Sequence, residues 1–211
     1  MIVILMGAPG AGKGTQANYL KDSLGFRKIS TGDILRKHIA AKSELGKKIE
    51  TIVSAGHLVS DDILQEVLRQ EIEGEKNANV VLDGFPRSQP QAEWLEENVD
   101  TTGVIHIDVG QEELIRRIEG RLTCEKCEAV YHVTDNPPKK EGICDRCKAK
   151  LVRRKDDVRS SILVRLDAYD KQTSPVLGFY KKKGKYFRLD GNGKPATINK
   201  DLLQLMKKLE R

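Results

Sequence analysis

The chain opens MIVILMGAPGAGKGTQ. A short β-branched apolar run, Ile2 to Met6, enters a turn with glycines at 7, 10 and 12 that ends in Lys13. The turn fits G-x-x-x-x-G-K, and Ala17, Leu20 and Leu24 behind it fall at helical spacing. Such a run suits a strand buried on both faces of a parallel sheet. Strand, glycine turn and helix in that order are what a phosphate-binding loop requires. The glycines let backbone N–H groups turn inward around an anion. The helix start adds unpaired N–H groups and a positive dipole end, and Lys13 adds a point charge. The common motif has Ser or Thr after the lysine, where the hydroxyl binds Mg²⁺. Here Gly14 stands there and Thr15 follows, so Mg²⁺ is expected to be held by phosphates and waters instead.

Further along, segment 30–59 reads as two short helices, with Gly46 between them and Gly56 closing the second. Ser60-Asp61-Asp62 caps a helix whose apolar side carries Ile63, Leu64, Val67, Leu68 and Ile72. Asn79 to Leu82, Val104 to Val109 and Lys185 to Leu189 read as strands. Gln111 to Arg121 is helical, helices resume near Val158 and Pro175, and Lys200 to Arg211 forms a terminal helix. Strands alternating with helices predict an α/β fold: a P-loop, doubly wound parallel sheet with helices on both faces. Segments 30–59 and 121–158 look like insertions at its ligand end. With 211 residues, one compact domain carrying insertions is expected.

The cysteines form the second constraint. Cys124, Cys127, Cys144 and Cys147 are the only ones in the chain, spaced C-x2-C-x16-C-x2-C. Each pair offers two thiolates at the spacing that tetrahedral Zn²⁺ takes. Two disulfides are the alternative, disfavoured in a reducing compartment. Four sulfur ligands leave no open position, so the zinc is expected to be structural and to fold a lobe poor in apolar residues.

The chain resembles the adenylate kinases, in the long form with a zinc-bearing lid. GAPGAGKGTQ at 7–16, STGDILR at 30–36, LDGFPRSQPQA at 82–92, GRLTC at 120–124, the cysteine quartet, and Arg154-x-Asp156-Asp157 with Arg165 carry the likeness. It implies a core of 1–29, 60–120 and 159–211, an AMP-binding insertion of 30–59 and a zinc lid of 121–158. It also implies Mg²⁺-dependent transfer from ATP to AMP giving two ADP. The AMP phosphate is already an anionic nucleophile, so this reaction calls for positioning and charge neutralisation rather than a base.

By resemblance, Gly10, Ala11, Gly12, Lys13, Gly14 and Thr15 wrap the ATP phosphates, and Arg121, Val130, Tyr131 and Lys194 complete the ATP site. Thr31, Arg36, His57, Leu58, Val59, Gly84, Phe85, Pro86, Arg87 and Gln91 form the AMP site, with Arg154 and Arg165 beside the phosphates. Lys13, Arg87, Arg121, Arg154 and Arg165 are the catalytic set. Gln91 is expected to read the adenine edge, or else to be an exposed polar residue on a Pro90-started helix. Asp83 is expected either to orient Mg²⁺ waters or to form a turn.

Three rivals follow from the same residues: a kinase for another nucleoside monophosphate, an ATP-driven switch whose zinc lobe binds nucleic acid, and a nucleotide sensor that binds but turns over poorly, against which the full set of arginines argues. Segment 121–158 has ten Lys/Arg against seven Asp/Glu, and Tyr131 is its one Phe, Tyr or Trp. That is a poor stacking surface, so no nucleic-acid partner is expected. The net charge of +6 suits phosphate ligands. Met1 to Met6 is too short for a signal core, and no apolar run approaches a membrane span. A cytoplasmic monomer is expected. His38, His106 and His132 read as surface or strand residues without a partner pattern, and Trp94 as packing.

Overall fold

In the computed structural model, which describes residues 1–73 and 78–210, the elements run β1 (Ile2–Met6), α1 (Lys13–Leu24), β2 (Arg27–Ser30), α2 (Thr31–Ala40), α3 (Glu44–Ala55), α4 (Asp61–Glu73), β3 (Val80–Asp83), α5 (Gln89–Asn98), β4 (Gly103–Asp108), α6 (Gln111–Glu119), β5 (Arg121–Cys124), β6 (Val130–His132), β7 (Leu151–Val152), α7 (Arg159–Ala168), α8 (Val176–Lys182), β8 (Tyr186–Asp190) and α9 (Pro195–Leu209). A π-helical turn, Tyr169–Thr173, joins α7 to α8. The terminal helix starts at Pro195 rather than at Lys200, and its expected end at Arg211 lies outside the described residues.

β1 has no polar face. Val3 and Leu5 enter one core with α1, α6, α7 and α9, and Ile4 and Met6 enter the other with α4, α5 and α8. Each such side chain stabilises the fold by about 1.5–3 kcal/mol when fully buried. β1 is therefore the middle strand of a five-stranded sheet ordered β2-β3-β1-β4-β8, every pair parallel. This is the doubly wound sheet that the alternation of elements predicts. Its register brings Leu5 and Ser30 both opposite Asp83. The loops after β1, β2 and β3 therefore open at one carboxyl edge, where such sheets hold ligands.

β2 was not among the expected strands. Its sequence, RKIS, carries two cations, yet the Lys28 side chain is only 5% exposed because Asp33 accepts its ammonium at 2.7 Å. Gly46 does not separate α2 from α3. The break falls at Ala41–Ser43, and Ser43 caps α3 by accepting from the Gly46 N–H at 3.0 Å. Gly46 is a contact residue: a Cβ there would lie 2.0 Å from the His38 carbonyl oxygen. Segment 121–158 contains a small antiparallel sheet ordered β6-β5-β7. Among the described residues, no helix is long and apolar enough to cross a membrane.

Candidate active site

The glycine turn leaves β1 and delivers its last residues to the start of α1. Gly10 is required twice over, since its φ is +87° and a Cβ would meet the Leu114 carbonyl oxygen at 2.7 Å. Gly12 is the N-cap of α1 and offers no side-chain cap, so the first N–H groups of the helix stay unclaimed. Lys13 folds back over the loop and donates to the carbonyl oxygens of Gly7 at 2.7 Å and Ala8 at 3.0 Å. Burial above all pushes its ammonium down to about 8; Asp83 opposes this, and Arg87, Arg165 and Arg121 reinforce it. A Cβ at Gly14 would lie 3.5 Å from Asp83 Oδ2. The carboxylate thus stands beside the position where the common motif carries its hydroxyl.

A cavity of about 640 Å³ opens in front of this loop, and Lys13, Arg36, Arg87, Arg121, Arg154 and Arg165 all line it. Their positions are fixed from behind. Arg87 Nε donates to the Gly84 carbonyl at 2.7 Å, and Thr173 Oγ1 donates to the Arg87 carbonyl at 2.8 Å. Burial pushes the Arg87 guanidinium down to about 10, with Arg165 adding to the effect. Arg121 grips Asp157 through two nitrogens, its Nε at 2.8 Å. Arg165 reaches Asp156 at 3.0 Å and Asp157 at 3.2 Å. Arg154 donates to Thr123 Oγ1 at 3.2 Å, and burial pushes it down to about 9, with Arg121 and Arg36 adding to that. Arg36 pairs with Asp33 on the next turn of α2. So dense a cationic wall is costly to hold together and is suited to multiply charged anions.

Of the other expected residues, Gly10 to Thr15, Leu58, Gly84, Pro86, Val130, Tyr131 and Lys194 also line the cavity. Thr31, His57, Val59, Phe85 and Gln91 stand outside its wall. Thr31 Oγ1 donates to the Gly84 carbonyl at 3.0 Å. Phe85 is buried edge-to-face on Trp94, with ring centroids 6.0 Å apart. Gln91 is not an exposed polar residue. It is fully buried; its Oε1 accepts from the Arg87 N–H at 2.7 Å and its Nε2 donates to Asp61 at 2.5 Å. In this arrangement it shapes the loop that carries Arg87.

The histidines do have partners. His38 Nδ1 lies 3.0 Å from Ser43 Oγ, and His106 sits between the hydroxyls of Tyr186 at 3.1 Å and Tyr169 at 3.2 Å. His132 Nδ1 accepts from the backbone of Thr134 and Asp135, at 3.2 and 3.1 Å. Sequence reasoning also missed Glu113, Arg116, Arg117, His132, Asp135 and Asn136, which also line the cavity. Arg117 had one local signal, its position four residues after Glu113, to which it donates at 2.7 Å.

In segment 121–158 the four sulfurs lie within 4.8 Å of one another, and all four cysteines are free of disulfides. The two turns repeat one pattern: the Glu128 N–H reaches the Cys124 carbonyl at 2.9 Å, and the Lys148 N–H reaches that of Cys144 at 3.0 Å. Four convergent thiols around one point fit a metal ion and can hold one.

A parallel sheet, a glycine loop of the phosphate-binding pattern at its carboxyl edge and an arginine-lined cavity make a site for multiply charged anions. The adenylate kinase family model matches residues 5–185. Adenylate kinases of Methanocella arvoryzae and Finegoldia magna are 43% and 42% identical to this chain, each alignment covering 99% of it and 100% of the relative. That of Caldicellulosiruptor saccharolyticus is 42% identical, over 98% of this chain and 99% of the relative. The chain belongs to the adenylate kinase family, whose members convert ATP and AMP to two ADP.

Proposed function

We propose that this chain transfers the terminal phosphoryl group of ATP to AMP in line, inside a site that closes over both nucleotides. The observation that carries the reading is the convergence of Lys13 and five arginines, drawn from distant parts of the chain, on one cavity. The AMP phosphate needs no base, and the barrier is the repulsion between two anions, which fixed cations lower.

In this reading Gly10 to Thr15 cradle the ATP phosphates, and Lys13 follows the transferred group. Arg36 and Arg87 hold the AMP phosphate, and a guanidinium fork suits that grip. Arg121, Arg154 and Arg165 span the two phosphates. Val130, Tyr131 and the Lys194 backbone flank the ATP adenine. Thr31, His57 to Val59, Gly84 to Pro86 and Gln91 shape the AMP side, with Gln91 reading the base once its amide exchanges Asp61 for adenine. Mg²⁺ bound with ATP would supply further neutralisation of the phosphates, and Asp83 beside Gly14 would orient its waters. Zinc is the metal the four cysteines suit best, in a structural role that keeps 121–158 rigid. Segment 30–59 closes on AMP and 121–158 on ATP, which excludes water as a competing acceptor.

Closure is tested by supplying MgATP without AMP. Release of inorganic phosphate should then be at least roughly a thousandfold slower than transfer to AMP. Comparable rates would mean that water reaches the reacting phosphate, and closure would be wrong.

A further inference from the structure

Glu128 has no part in the chemistry above. It follows Cys127 with a φ of +59°, a backbone region that side-chain-bearing residues avoid. The residue lines the cavity, where an unpaired acid would repel phosphates. It is paired on both oxygens: Oε1 with Lys37 Nζ at 2.8 Å and Oε2 with Lys28 Nζ at 3.4 Å. Its carbonyl accepts from Asn18 Nδ2 at 3.3 Å. These partners come from separate units, Lys37 from α2 in the 30–59 insertion and Lys28 and Asn18 from the core sheet and α1. Lys28 also holds Asp33, and Asp33 holds Arg36, the arginine assigned to the AMP phosphate.

We infer that Glu128 is a positioning residue that ties the cysteine-bearing lid to α2, so that AMP binding and lid closure favour one another. This role rests on the reading of 30–59 and 121–158 as closing units. AMP held by Arg36 steadies α2, and a steadied α2 presents Lys37, and the Asp33–Lys28 pair beside it, where Glu128 meets them. The lid then closes with less side-chain freedom left to lose. Linkage makes the effect reciprocal, so ATP tightens AMP by the same factor. Across the same seam Lys155 reaches Glu50 at 3.5 Å, but those side chains are 82% and 49% exposed, and such pairs contribute little.

Titration calorimetry with a non-hydrolysable ATP analogue, without AMP and with saturating AMP, gives the coupling factor. Glu128→Gln should cut that factor by roughly three- to tenfold while leaving AMP affinity alone within about twofold. Lys37→Met, on a side chain that is 69% exposed and belongs to α2 rather than to the cysteine turn, should lower the factor by less, because Lys28 still meets the other oxygen of Glu128. The reversed pair, Glu128→Lys with Lys37→Glu, should recover part of the coupling. If both single variants keep the wild-type factor, Glu128 is not the link and the inference is wrong, while closure stands. If the wild-type protein itself shows a factor of one, the closing units fail and Glu128 fails with them.

Discussion

Lys13 is held in a place that disfavours its own charge. Burial and the surrounding arginines bring its ammonium from 10.5 to about 8, so in the free protein the loop loses its point charge in mild alkali. The kcat/KM for ATP should therefore fall on the alkaline side with a midpoint near 8, because that parameter reports the free enzyme. Lys13→Arg should lower the maximum and move the limb well upward; superimposable limbs in the two proteins would contradict the assignment. Stability should move the opposite way. Between about 8 and 10.5 the unfolded chain binds more protons than the folded one, so this group's contribution to unfolding free energy rises with pH. At this scale the legible residues were those whose role depends on neighbours in sequence, as in Gly7 to Lys13. The burial of Gln91 and the partners of His106 were not legible, since Asp61 and the two tyrosines that hold them lie far away in the chain.

Between elements, close approach decides more than propensity. Gly46 looks like a helix break in the sequence, yet it is the point where α3 touches the end of α2. Gly46→Ala would force the two helices apart and should cost roughly 2–3 kcal/mol, read by thermal unfolding, with a raised KM for AMP. An unchanged melting temperature would show that the contact relaxes freely. β2 escaped notice for a related reason: Lys28 can be buried in a strand only because Asp33 and Glu128 meet it there. The lid shows the converse case. Apart from its cysteines, its buried core is Ala129, Tyr131 and Leu151, too little to fold unaided. Removal of the metal by a chelator should abolish the β5–β7 sheet and raise the KM for ATP at least roughly tenfold, while AMP still binds. Tryptophan fluorescence of Trp94 under AMP titration and proteolysis at 121–158 would follow the two halves separately. A lid that stays protected without metal would contradict this.

For the whole molecule, the parallel sheet follows from the alternation of elements and the gathering of four cysteines from their spacing, because those signals are local and periodic. How segments 30–59 and 121–158 meet each other and the rest of the chain was not legible, because that depends on pairings between distant charges such as Arg116 with Asp135 and Lys37 with Glu128. A net charge of +6 and a cation-lined cavity also imply electrostatic steering of nucleotides. Raising salt from about 0.05 to 0.5 M should lift both KM values several-fold with little change in kcat. The most direct measurement is phosphorus NMR of the protein with MgATP and each of AMP, GMP, CMP and UMP in turn. Rapid, reversible appearance of ADP with AMP alone is the predicted result. ATP that binds but passes its phosphoryl group to none of the four would contradict the account.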